Sequence, residues 1–151
     1  MTVQSYELDR WVLDGLNPGA QNLDQLKNWQ GKASGIADYV SSWGMERFWA
    51  MSRSPQLING EMPDPNQAGN DESRRYFAWG VARVVLCSIV GPDLQIRANM
   101  NTQEFQARFQ QLNFNQQMLI TELLLEIADT IQFWTMRLKD SLEVHGNANQ
   151  I

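Results

Sequence analysis

The sequence predicts an all-α protein, a compact irregular bundle of five to seven helices around one long C-terminal helix. Three observations carry that expectation. Apolar residues recur at helical spacing along most of the chain, Gly and Pro cluster between those segments, and the run Gln116–Val144 contains neither. In that run Ile120, Leu124, Ile127, Ile131, Trp134, Leu138 and Leu142 form one stripe, broadened by Leu119, Leu123 and Ala128. Glu122, Glu126, Asp129, Gln132, Lys139 and Asp140 take the opposite side. Asn115 is the N-cap candidate, and Gly146 follows the end. At about 1.5 Å per residue this helix would be ~43 Å long, enough for shorter elements to pack along it.

The preceding elements follow in chain order. A first helix is expected over residues 6–14, with Ser5 as N-cap, Leu8, Trp11 and Val12 on its apolar face, and Gly15 and Asn17-Pro18-Gly19 ending it. Asn22 and Gln25 have capping-box spacing. Beyond them Gly31, Gly35 and Gly44 interrupt the helical pattern, giving short helices near 23–30, 33–43 and 45–52 or one bent helix. Trp43, Phe48 and Trp49 fall close together and are expected in the core or at its edge.

Ser54–Gly69, with three prolines and two glycines, has no periodicity and reads as a long loop. A helix over 71–90 then starts at Asn70-Asp71-Glu72 and stops at Gly91-Pro92. Its residues Tyr76 to Val90 are apolar nearly all round, which implies burial; the β-branched content leaves a buried strand open for 76–90. Arg83, the charge in its middle, calls for a carboxylate or several carbonyls, and a partner acid is expected. After a connector at 93–100, Asn101 and Glu104 form a second capping box for a helix that aligns Phe105, Phe109 and Leu112. Asn113-Phe114-Asn115 separates it from the long helix, and 147–151 reads as a frayed tail. The stretch Arg108–Gln117, RFQQLNFNQQ, resembles a helix start in the carotenoid-binding helical domain of cyanobacterial photoprotective proteins. That resemblance spans ten residues and assigns no role to any of them.

The 151 residues fit one domain spanning 1–151. A net charge of −5 and the absence of a basic stripe argue against direct nucleic-acid binding. One cysteine excludes an internal disulfide framework and makes a reducing, cytoplasmic setting the expectation. The start MTVQSYELDRW lacks the basic and apolar regions of a signal peptide. No apolar run reaches a membrane span, because VARVVLCSIV contains Arg83 and meets Gly91-Pro92.

Catalytic and metal chemistry have few candidates. The chain has one histidine and one cysteine, and it lacks the sequence signatures of phosphate loops, nucleophile elbows and zinc helices. Cys87 sits among Val85, Leu86, Ile89 and Val90, where a thiol has a raised pKa and behaves as a small hydrophobe. His145 falls at the C-terminal turn of the long helix, where a partial positive charge suits the helix dipole. No catalytic residue, metal ligand or cofactor is therefore assigned.

The positive signal is apolar surface beyond one core. Met118, Leu125 and Met136 form a second stripe on the polar side of the long helix, with Phe133 beside it. Interface cores favour aromatic residues, Met and Arg over Lys, and this chain has six Trp, seven Met and only Lys27, Lys32 and Lys139. The expected function is non-enzymatic protein–protein interaction: an adaptor, assembly factor or chaperone, or accessory subunit that lays an apolar groove against a partner helix or extended tail, a homodimer being one form of this. The contact residues are Met118, Leu125, Phe133 and Met136, with Leu57 and Ile58 of the loop at the rim. Two alternatives stay open: a helical module enclosing an apolar small molecule (lipid or pigment) among its tryptophans, and a small helical subunit of a nucleoprotein complex.

Overall fold

Helical spacing in the sequence becomes helix throughout the computed structural model, which describes residues 5–53, 62–65 and 75–145. Among these residues there are seven α-helices and no strand: α1 (Ser5–Leu16), α2 (Leu23–Ser34), α3 (Ile36–Trp43), α4 (Met45–Ser52), α5 (Phe77–Leu94), α6 (Thr102–Gln111) and α7 (Phe114–His145). A 3-10 turn, Asn17–Gly19, joins α1 to α2. The expected helix start at Asn70 and the rim residues Leu57 and Ile58 lie outside the described residues.

Side-chain caps fix three of the helix starts. Asn22 Oδ1 accepts from the Gln25 amide at 3.0 Å, and Asn101 and Glu104 form the expected reciprocal box. The start of α7 differs from expectation. Asn113, not Asn115, caps it: Asn113 Oδ1 accepts from the Gln116 amide at 2.9 Å, while Gln116 Oε1 accepts from the Asn113 amide at 3.0 Å. Phe114 therefore belongs to the helix. The turn between α3 and α4 rests on Gly44, whose φ of 86° lies in the left-handed region that a side chain resists. Gly31, in contrast, does not break α2.

The helix α5 settles the choice between helix and strand for 76–90 and corrects the expected stop at Gly91-Pro92. It runs on to Leu94 and ends at Gln95, which adopts the left-handed conformation. Proline disfavours helix at the residue before it partly through a clash with that residue's Cβ, and Gly91 has none. The Gly91 carbonyl then accepts from both Gln95 and Ile96, closing the end. The continuation makes α5 an 18-residue helix of mean hydropathy 1.4, so the described residues do include one helix long and apolar enough to cross a membrane. Its residues are nonetheless mostly buried within the bundle, against α1, α2, α4 and α7.

The stripe on α7 meets α2 most extensively, then α5, α1 and α3. Ile120, Leu124, Ile127, Ile131, Leu138 and Leu142 are buried there; Trp134 is half-buried and donates its indole N–H to Asp9 Oδ1 at 2.9 Å. Aromatic rings fill much of the core beside α4 and α5. Trp29 stacks on Phe77, Trp49 on Phe105, and Trp79 contacts Tyr39, Phe48 and Tyr76. Trp43 departs from its expected place: it is 55 % exposed, with the Arg47 guanidinium 4.4 Å from its ring centre. Gly44 ends α3 directly after it, and α4 reaches back over the ring with Arg47 without burying it.

Candidate interaction surface

The buried reactive groups are held in inert states. Burial pushes the Cys87 thiol up to about 12, an effect that the nearby Arg83 charge only partly offsets. Burial likewise brings the Arg83 guanidinium down to about 10, with Cys87 and Arg53 as smaller influences, so it stays charged at neutral pH. Arg83 Nη1 donates to the Ser52 carbonyl at 2.7 Å and to Ser52 Oγ at 3.3 Å, and its guanidinium carbon lies 5.7 Å from the Trp49 ring centre. One carbonyl and one hydroxyl thus tie α5 to the end of α4, and neither of these two contacts is the expected acid. No group of three or more His, Cys, Asp or Glu that could hold a metal ion occurs among the described residues. An open cleft of about 380 Å³ runs beside the end of α5, lined in part by Ser88, Pro92, Ile96 and Arg97.

The unusual surface is the outer face of α7. An α-helix turns about 100° per residue, which places Met118, Glu122, Leu125, Asp129, Phe133, Met136 and Asp140 within an arc of about 80°, opposite the buried stripe. Their spacing of four, three, four, four, three and four residues makes them one row ~33 Å long. Met118, Phe133 and Met136 are 41, 48 and 37 % exposed, and Glu122 and Asp129 are exposed between them. Leu125 is half-buried and packs partly against the core, and Asp140 is half-buried at the end of the row. Phe133 stands edge-on to Trp134 at 5.0 Å, so its ring rests on a fixed neighbour.

Four of the six sequence-derived contact residues therefore share one face, with acids between them. Rather than an apolar groove, they form a convex ridge that alternates apolar and acidic side chains. Phe114 extends it by one turn at the N-terminal end and is the most exposed phenylalanine among the described residues with exposures above a third, at 72 %. Sequence reasoning assigned Phe114 to a turn, although the signal was present: Asn113 and Gln116 have the same spacing as Asn22 and Gln25. Trp11, also partly exposed, lies on α1.

No family model, curated protein or solved structure matches the chain.

Proposed function

We propose that this chain is a non-enzymatic protein-interaction module, an adaptor, assembly factor or accessory subunit, that engages another polypeptide through the outer row of α7. The observation that carries this reading is the pair Phe133 and Met136. They are large apolar side chains one turn apart, both more than a third exposed, on the helix that also organises the core. Scattered single hydrophobes are ordinary on a protein surface; a repeated set along one helix face is a feature of helix-mediated recognition. Burying Phe133 alone would remove enough apolar area to contribute roughly 1–2 kcal/mol to association.

The test is native mass spectrometry of the protein purified gently from its own source, beside the Phe133→Asp/Met136→Asp variant. The expected result is a discrete polypeptide retained by the parent chain and lost from a variant that still folds. Retention by both chains, or loss only through unfolding, would contradict the assignment.

A further inference from the structure

We infer that the occupant of the α7 row is an amphipathic helix of another chain that carries Lys or Arg among its apolar contacts; this rests on the interaction role just proposed for the same face. Along the row, three carboxylates alternate with the apolar residues: Glu122 between Met118 and Leu125, Asp129 between Leu125 and Phe133, and Asp140 after Met136. Glu126 adds a fourth acid at its flank. The row itself contains no cation; Arg137 and Lys139 flank it only near Asp140.

A partner that buried Met118, Leu125, Phe133 and Met136 would draw water away from the acids between them. Carboxylates desolvated without a cation weaken association, whereas paired ones specify orientation and speed encounter. A second copy of this chain fits poorly. Within the row itself a second copy offers each acid only another acid or an apolar side chain, and its flanking cations, Arg137 and Lys139, lie at one end. The area between Met118 and Asp140 thus selects a basic partner over self-association, and the chain's net charge of −5 favours the same encounter. Glu122, Asp129 and Asp140 are seven and eleven residues apart, so a helix lying along the row would offer its cations at about those intervals, ~10 and ~16 Å.

The probe is a synthetic leucine–alanine helix with lysines at those two intervals and a twin with glutamates in their place, each labelled and titrated with the protein while anisotropy is recorded. The lysine peptide is expected to bind about tenfold or more tightly than its twin, and to weaken as salt rises. Glu122→Gln/Asp129→Asn/Asp140→Asn is expected to remove that advantage. Asp14→Asn/Asp38→Asn/Asp93→Asn, which makes the same change in net charge on α1, α3 and α5, is expected to keep it. Equal binding of the two peptides, or equal loss in the two triple variants, would overturn the basic-helix assignment. If Phe133→Asp/Met136→Asp still abolishes binding in that case, the interaction role stands without it; if that variant binds normally, both fall. Sedimentation showing the free chain already paired through this row would also overturn the assignment.

Discussion

At the scale of single residues, what a side chain meets decides the outcome more than its type does. Gly31 and Gly91 are both helical, yet a Cβ added to Gly31 would meet nothing within 4 Å, whereas one on Gly91 would lie 2.5 Å from the Ile96 carbonyl oxygen. Gly31→Ala should therefore raise stability by about 0.5–1 kcal/mol. Gly91→Ala should lower it by about 1–3 kcal/mol, because backbone rather than a flexible side chain must yield. Urea unfolding of both variants measures the contrast. Cys87 offers a pH-linked test. Burial raises the thiol pKa from the ordinary value of 9.0 to about 12, so the native state holds the proton more tightly. The corresponding stabilisation is complete below pH 9 and is lost as pH rises from 9 toward 12. At pH 8 the native thiol should resist iodoacetamide, while the urea-unfolded chain reacts, as intact mass would show. The inertness of Cys87 was legible from its apolar neighbours. The exposure of Trp43 was not, because a helical wheel says nothing about what lies past the helix end at Gly44.

At the scale of elements, the signals that transferred best were chemical and local. Asn22 and Asn101 were legible as caps because a short polar side chain three residues before an amide has one favourable partner. The expected proline stop failed because Gly91 relieves the strain that normally ends a helix there. Periodicity identified both faces of α7, and the two faces should respond oppositely to charge. Leu124→Asp would bury a carboxylate among apolar side chains and should abolish cooperative unfolding. Phe133→Asp/Met136→Asp keeps its charges in solvent and should alter stability by no more than about 1 kcal/mol. Thermal unfolding followed by circular dichroism separates these outcomes. Comparable loss from both would mean that the row contributes to the core.

At the scale of the whole molecule, the fold class and the burial of α5 followed from hydropathy, whereas the packing of α7 chiefly on α2 did not. A stripe reports that a face is covered, not which element covers it. The same limit applies to the outer row: Met118, Leu125, Phe133 and Met136 were legible as one face, but their alternation with Glu122, Asp129 and Asp140 gains meaning only once most of that face is seen to be exposed. The aromatic pairs explain where several tryptophans go. Trp29, Trp49 and Trp79 spend their ring faces on neighbouring rings, whereas Trp11 on α1 and Trp43 on α3 stay exposed, as most of the α7 row does.

Photo-crosslinking in the source cells shows whether the outer row of α7 meets another polypeptide. A benzophenone side chain would replace Phe133 in one variant and Lys27, exposed on α2, in a second. One discrete adduct, identifiable by mass, is expected from position 133, and none of that mass from position 27. The same products from both positions, or no adduct from position 133 in a folded and expressed chain, would contradict the interaction role.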